Sequence, residues 1–435
     1  MRITIVGTGY QGLVVGTCLA ENGHQVTCVD RDAPRIQSLL EGRIPVYEAG
    51  LEELVARNLE EERLRFTTDL GEAVSDCLMV FLCVGTPADE DGATDLSNLL
   101  QAAQQIAKAM NGYRIIVNKS TCPPGTADEI HKVLAAHTRH PFDVVVNPDF
   151  LKAGTAVDDF MRPDRVVIGC DDVRVREMMK ELYGPFLRTG RPFLCMGQRS
   201  AEMMKYATNV MLAARISLMN QLADICAEYG ADISEVREGV GADSRIGPTF
   251  LFPGIGFGGV WLPTDVATCA RLARDRGLPS DLIDAVNVVN QRRRQQFLQR
   301  ILEYYGDAIK EKRIAVWGAS FKARTDDIRR APAAYLIDQL LAAGASLSVF
   351  DPTAAPKLRE RYGDRITLAP KYYAALEGAD GLVIATEWNE FRRPDYDRMG
   401  QLMRERVIFD GRNLYTPSIL RDHGFRYFSI GRPPV

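Results

Sequence analysis

Two constellations in this 435-residue chain could do chemistry. The first is Gly7-Thr8-Gly9-Tyr10-Gln11-Gly12. It lies between a short apolar run, Arg2–Val6, and a helical pattern that reaches about Asn22, and Asp30 closes the next apolar run, Gln25–Val29. The glycine spacing alone is a weak sign. With a strand before it, a helix after it and an acid at the end of the following strand, it reads as a dinucleotide site. The glycines let the backbone approach a pyrophosphate at a helix N-terminus, and the carboxylate accepts from the adenosine ribose hydroxyls. An acid there favours NAD over NADP, whose 2′-phosphate it would repel. The second constellation is Lys205 with Asn209, polar residues in an apolar stretch, Ser200–Ala231. Four residues apart on a helix, they project from one face. Alone, the lysine reads as an ammonium that snorkels to the surface. The nucleotide-binding patterns on either side of it make the functional reading the better one.

These residues need elements to hold them. Ser200–Ala231 has no Pro and no Gly before Gly230. Its apolar residues cover more than one stripe, the pattern of a helix buried in a large protein or an interface. Ser200 is the expected N-cap and Gly230 the stop. At ~1.5 Å per residue such a helix is roughly 45 Å long, enough to pass from one domain to another. Before it, strand and helix patterns alternate. Met79–Val84, Ile115–Lys119 and Asp143–Val146 are expected strands. They run into the loops Gly85-Thr86-Pro87, Ser120-Thr121-Cys122-Pro123-Pro124-Gly125-Thr126 and Asn147-Pro148-Asp149-Phe150-Leu151-Lys152. Ligands of parallel sheets lie beyond the carboxyl ends of strands, so these loops should crowd round one cleft.

A second α/β pattern begins after Lys312, with expected strands Arg313–Trp317, Ser346–Phe350, Gly381–Ala385 and Val407–Phe409. It lacks the glycine fingerprint and is expected to hold a different nucleotide. Between the halves, Gly239–Asp265 reads as one long loop rich in Gly, Pro and aromatics, and so long a loop inside a compact protein is usually functional. The expected fold class is α/β, two doubly wound Rossmann-like domains joined by a long central helix. The expected divisions are 1–197, 198–306 and 307–435.

Apolar residues make up 46% and charged residues 25%, as in an ordinary globular protein. A net charge of −4 gives no electrostatic case for nucleic acid or anionic membrane. The run Arg292–Arg294 reads as a solvated helix face. No apolar run approaches the ~20 residues of a bilayer span, and the N-terminus reads as a strand, not a signal peptide. Nine cysteines without metal-site spacing read as reduced core thiols, and five histidines suggest no metal site. The expectation is a cytoplasmic protein without nucleic-acid, membrane or metal partners.

Taken together, the motifs resemble the UDP-glucose/GDP-mannose dehydrogenase family over nearly the whole chain. The matching stretches include Gly7-Thr8-Gly9-Tyr10, Val84-Gly85-Thr86-Pro87, Ser120-Thr121 with Pro124-Gly125-Thr126, Asn147-Pro148 and Pro163-Asp164-Arg165. Ala201-Glu202 with Lys205-Tyr206 and Asn209, Gly256-Phe257-Gly258-Gly259, Phe321-Lys322, Ala385-Thr386-Glu387-Trp388 and Asp410-Gly411-Arg412 match as well. The resemblance implies oxidation of the primary alcohol at sugar C6 to a carboxylate with two NAD, in service of polysaccharide or glycoconjugate biosynthesis. It implies a homodimer built on the central helix. It assigns the cofactor to Gly7, Gly9, Tyr10, Gln11, Gly12, Asp30, Gly85, Thr86, Pro87, Ser120 and Thr121. Lys205 and Asn209 resemble the pair that stabilises oxygen anions at the reacting carbon. Asp265 resembles an acid that moves a proton through a water, with Thr121 nearby. Phe150, Leu151, Lys152, Phe250, Phe257, Gly258, Phe321, Lys322 and Arg412 fall at substrate-binding positions, and Arg245 resembles an arginine lent by the partner subunit.

The chain departs from this family's pattern at three places. Trp261 stands where the family has a cysteine, Thr264 where it has a lysine, and Asp149 where it has a glutamate. Oxidation of alcohol to aldehyde needs a proton acceptor and a stabiliser for the alkoxide, and Lys205, Asn209 and Asp265 fit that step. Aldehyde to acid ordinarily passes through a thiohemiacetal and a thioester, which need a thiolate. An indole forms neither. Cys122 and Cys269 lie on other backbone segments. Trp261 also reads as filling the space left by Cys and Lys, which would reshape the sugar pocket and change the substrate. Three functions stay open: a nucleotide-sugar oxidoreductase, most simply on a UDP-hexose, stopping after two electrons; an epimerase or isomerase with tightly held NAD; and a non-catalytic nucleotide-sugar binding protein. Retention of Lys205, Asn209 and Asp265 together argues against the last.

Overall fold

The computed structural model describes residues 1–188 and 190–435. It separates into two compact units, Met1–Thr208 and Asn209–Val435.

The first unit is built on eight strands: β1 (Arg2–Val6), β2 (Gln25–Val29), β3 (Leu64–Thr67), β4 (Met79–Leu82), β5 (Arg114–Asn118), β6 (Phe142–Val146), β7 (Val166–Gly169) and β8 (Phe193–Met196). Their order is β3-β2-β1-β4-β5-β6-β7-β8. Pairing is parallel except between β6 and β7. Every residue of β4, β5 and β7 is buried, the pattern of parallel strands covered on both faces. The direction of winding reverses between β1 and β4. In such a sheet that is where a crevice opens at the carboxyl ends.

The second unit has six strands: β9 (Arg313–Trp317), β10 (Ser346–Phe350), β11 (Thr367–Leu368), β12 (Gly381–Ile384), β13 (Val407–Asp410) and β14 (Arg426–Phe428). Their order, β11-β10-β9-β12-β13-β14, repeats the wiring of the first sheet, and all pairs are parallel. The repetition extends to one turn. Gly7 N–H donates to Val29 O at 2.8 Å, and Gly318 N–H donates to Phe350 O at 2.8 Å. The acid after each second strand then caps the turn: Asp30 accepts from Thr8 N–H at 2.8 Å and Asp351 from Ala319 N–H at 2.8 Å.

The long helix is Gln198–Tyr229, 32 residues, and the boundary between the units falls inside it. It starts two residues before the expected cap. Ala201 N–H donates to Gly197 O at 3.1 Å, so Gly197 holds the N-cap place and Ser200 lies in the first turn. Gly230, at φ 71°, ends the helix as expected. By length and composition it could cross a membrane, contrary to the reading of the chain as lacking such a run. Core helices of large folds pass the same test. Met211, Leu218 and Ile225 recur every seven residues and are 65%, 58% and 51% exposed, an apolar stripe along one face.

Two other expectations need correction. The irregular segment is shorter than Gly239–Asp265, because the helix Ile233–Ala242 runs into it and the helix Trp261–Arg274 begins inside it. Pro263 did not prevent that start, since the first turn has no intrahelical use for its N–H. Beyond Arg292, which is exposed, neither is Arg292–Arg294 a solvated face. Arg293 is buried against Asp224 (2.5 Å), and Arg294 donates to Phe257 O. The helix Asp281–Tyr305 that carries them turns successive side chains toward different neighbours.

Candidate active site

The turn after β1 is built to receive a dinucleotide. A Cβ at Gly12 would lie 1.9 Å from the Gly7 carbonyl oxygen, so only glycine lets the helix Tyr10–Glu21 start this close to the strand. Gly9, the N-cap, has no atom within 4 Å of where its Cβ would be and no side-chain cap. The first turn of that helix therefore faces open space, as a pyrophosphate requires. Asp30 also accepts from Thr8 Oγ1 at 2.9 Å, Asp32 N–H at 3.0 Å and Arg35 Nη1 at 3.2 Å. Burial pushes this carboxyl up, but the bonds from Thr8 and Asp32 and the charge of Arg35 outweigh burial and hold it below the usual aspartate value. Asp30 is thus held as an ionised acceptor, as the expected ribose contact requires. We expect Asp30→Ala to weaken NAD binding and to narrow its preference over NADP, read as the ratio of kcat/KM for the two cofactors. Equal efficiency of the wild type with both would contradict the role.

The other cofactor candidates are stitched together at the carboxyl ends of β1, β4 and β5. Thr86 Oγ1 donates to Thr121 O at 2.7 Å, Ser120 Oγ to Val84 O at 2.7 Å and Gln11 Nε2 to Lys119 O at 3.0 Å. Pro87 O accepts from Asp95 N–H at 2.8 Å, which closes the loop that follows Gly85. Tyr10 serves the architecture of the site. Its hydroxyl donates to the buried Glu48, which also accepts from Gly154 N–H at 2.6 Å and Ala156 N–H at 2.9 Å. Glu48 thereby ties the glycine turn to the loop after β6, a link that no local pattern announces.

That loop carries Asp149, Phe150, Leu151 and Lys152. Asp149 is buried and accepts from Leu151 N–H at 3.0 Å. Lys152 points away to an ion pair with Asp159 at 2.8 Å. The ring of Phe150 lies 3.7 Å from the Arg165 guanidinium and 5.5 Å from Lys205 Nζ. Lys205 is 8% exposed. Three residues before it, Glu202 caps the helix Thr126–His137, accepting from Gly125 N–H at 2.6 Å and Ala127 N–H at 2.8 Å. This clamp fixes the long helix to the loop that holds Ser120 and Thr121.

In the second unit Asn209, one turn beyond Lys205, donates to Asp265 Oδ2 at 2.5 Å, and Asp265 is 5% exposed. Asp265 therefore sits in the second turn of a helix, not on a loop. Trp261 opens that helix and is 41% exposed. Thr264 Oγ1 accepts from Arg330 Nη1 at 3.0 Å. The segment before Trp261 is held by Asn290, whose amide pairs with Phe257 N–H (2.9 Å) and Phe257 O (3.0 Å). Arg412 reaches Gly256 O (3.2 Å) and Ala385 O (2.8 Å). Gly258 packs directly on the backbone of Arg330 and Ala331, and Gly259 packs on the ring of Phe321. Lys322 Nζ lies 5.9 Å from that same ring. Phe250 adopts a left-handed φ of 61°, and its ring lies 5.8 Å from that of Phe252, tilted by 43°. Arg245 is exposed and paired with Asp243 at 2.6 Å.

Burial pushes Cys122 up to about 12, and Cys269, four residues after Asp265, is raised by burial and by the charge of Asp265. Neither is a thiolate at neutral pH.

An open glycine turn with its ribose acid, on a doubly wound sheet joined by one helix to a second such sheet, defines a dinucleotide-dependent oxidoreductase with a second nucleotide-binding domain. Three domain models match this chain: the NAD binding domain of the UDP-glucose/GDP-mannose dehydrogenase family over residues 1–187, its central domain over 199–292 and its UDP binding domain over 315–417. The chain belongs to this family, with NAD as its cofactor and a nucleotide sugar as its substrate. A UDP-glucose 6-dehydrogenase of Pseudomonas aeruginosa is 43% identical over 443 residues, covering 100% of this chain and 98% of that protein. One from Rhizobium meliloti is 42% identical over 438 residues, covering 100% of each. The structure of a UDP-glucose dehydrogenase from Pyrobaculum islandicum superposes with a TM-score of 0.89 at 34% identity, covering 95% of this chain and 94% of that one.

Proposed function

We propose that the protein oxidises a UDP-hexose at C6 by two electrons and releases the aldehyde or its hydrate. The observation that carries the reading is the residue set of the helix Trp261–Arg274: Asp265 is buried on Asn209, while the first position holds an indole. NAD, when bound, takes up the hydride. Lys205 and Asn209 stabilise the alkoxide from which it leaves, and Asp265 accepts the hydroxyl proton through a water. The balance is alcohol plus NAD⁺ to aldehyde plus NADH and one proton. Onward oxidation through sulfur would need a thiolate where Trp261 stands. The aldehyde hydrate could in principle give a second hydride with Asp149 as base. That side chain is roughly 1.5 Å shorter than glutamate, and a displacement of ~1 Å can cost a hundredfold. Similarity to UDP-glucose 6-dehydrogenases over the full chain supports UDP-glucose as the first sugar to try. Mass spectrometry of the products from a panel of nucleotide sugars with NAD tests the reading. A sugar two hydrogens lighter is expected, and a uronic acid as main product would refute it.

The same reading includes a homodimer in the cytoplasm. The stripe Met211, Leu218 and Ile225 supports an interface on the long helix, and Arg245 is then free to exchange Asp243 for a substrate bound by the partner. Leu218→Glu should dissociate the dimer in sedimentation, and Arg245→Ala should raise KM severalfold. A wild-type monomer at micromolar concentration with full activity would exclude the shared site.

A further inference from the structure

Glu48 stands on the irregular segment between the helices Ala33–Leu40 and Leu51–Glu60, and its side chain is buried. One carboxylate oxygen, Oε2, accepts from the Tyr10 hydroxyl and from Gly154 N–H at 2.6 Å, and the other, Oε1, accepts from Ala156 N–H at 2.9 Å. Burial and the bond to Glu48 push the Tyr10 hydroxyl above its ordinary value, so it stays a donor. Gly154 N–H is hydrogen-bonded to that hydroxyl as well. Tyr10 is the first residue of the helix whose N-terminus stands open for a pyrophosphate. Gly154 and Ala156 close the loop after β6, and Asn147 holds its other end by donating to Val167 O at 2.9 Å. Between these anchors lies Phe150, whose ring is 5.5 Å from Lys205 Nζ. One carboxylate thus joins the turn that receives the cofactor to a loop that lies against the lysine proposed to hold the reacting oxygen.

The helix Ala156–Met161 has no side-chain cap from its own Thr155. Capping it would need only the bond from Ala156 N–H. The bonds from Tyr10 and Gly154 go beyond that need. A pyrophosphate on the first turn of the helix Tyr10–Glu21 restrains Tyr10, and Glu48 passes that restraint to the loop. A sugar against Phe150 restrains the same loop from its other side. Whichever ligand comes second meets a loop already ordered, and binds more tightly for it. We propose that Glu48 is a positioning residue that couples the two sites, so that NAD and the nucleotide sugar each strengthen the binding of the other. Linkage makes the factor the same in both directions. The coupling rests on the reading that puts the sugar's C6 oxygen at Lys205, and not on how many electrons leave it.

The test titrates NADH by its fluorescence, with and without saturating UDP-glucose, in wild type, Tyr10→Phe and Glu48→Gln. Both ligands are then in their reduced forms, and no hydride passes. In wild type UDP-glucose should tighten NADH about tenfold, within the range common for coupled sites. Calorimetry of UDP-glucose with and without NADH should return the same factor. Tyr10→Phe keeps the ring and removes only the hydroxyl, and Glu48→Gln sets an amide donor against one of the three donors. Each should cut the factor to about twofold or less and unfold close to the wild-type temperature. If Glu48→Gln does not fold, Tyr10→Phe decides alone. A Tyr10→Phe protein with the full wild-type factor would overturn the proposal, even if it bound NADH more weakly. So would one that unfolds well before wild type and loses both affinities in equal measure, which would make the link a structural brace. A wild type that binds both ligands with no effect of one on the other defeats this proposal alone. A wild type that binds no UDP-glucose, with or without NADH, would sink the substrate reading and this proposal together, whereas a uronic acid product with the factor intact would defeat the two-electron reading and leave the coupling standing.

Discussion

On the function proposed above, the triple variant Trp261→Cys, Asp149→Glu, Thr264→Lys should carry the oxidation from two electrons to four. Position 261 is the first residue of a 14-residue helix. A thiol there would meet the positive end of the helix dipole, which lowers its pKa toward neutrality. Glutamate at 149 restores the methylene that aspartate lacks. Lysine at 264 restores a cation that Arg330 now brings only as far as the Thr264 hydroxyl, at 3.0 Å. We expect the rate of aldehyde oxidation to rise on the order of a hundredfold or more, the usual contribution of a correctly placed nucleophile and its partner. Trp261→Cys alone should give under about tenfold, because its acid and cation partners would still be misplaced. If aldehyde oxidation in the triple variant stays at the wild-type rate, the missing thiol is not what stops the reaction.

The second large effect concerns the first half of the reaction. Asn209 and Asp265 are both buried and share a bond of 2.5 Å, and Lys205 is almost as deeply placed. Asp265→Asn keeps the shape and removes the proposed base, and should lower kcat for NADH formation by roughly 10²–10⁴ with KM little changed. Lys205→Met and Asn209→Ala remove the proposed oxyanion stabilisers and should each cost roughly 10²–10³. Combining Asp265→Asn with Asn209→Ala should cost less than the sum, since the two side chains act through one hydrogen bond. A change in KM without a change in kcat would assign these residues to binding and not to proton and charge handling.

Much of this arrangement was legible because the glycine fingerprint and the apolar strands obey local rules. β1, β2, β9 and β10 appear with the bounds that the pattern implies. The edge strands were not legible. β11 has only two residues, and β8 is exposed along its middle, so neither carries the alternation that marks a half-buried strand. The start of the long helix was misplaced because Ser200 is the better local cap, yet Gln198 Nε2 donates to Val144 O at 2.7 Å and Arg199 pairs with Asp128 at 2.7 Å. Tertiary contacts chose Gly197 instead. The spacing of Lys205 and Asn209 was readable from helix periodicity. The Asn209–Asp265 bond spans 56 residues of chain, and no periodicity reports it. Glu48, Lys119 and Arg330 are hidden from local pattern for the same reason: each acts on residues far along the chain. Only Lys119 left a local trace, a lysine closing a strand of otherwise buried residues.

The central claim is that each turnover ends at the aldehyde, and the stoichiometry of NADH to sugar tests it most directly. Purified protein, UDP-glucose and excess NAD, run to completion with a hydroxylamine reagent present, should give one NADH and one trapped oxime per sugar consumed. Two NADH per sugar with a uronic acid product and no oxime would contradict the account.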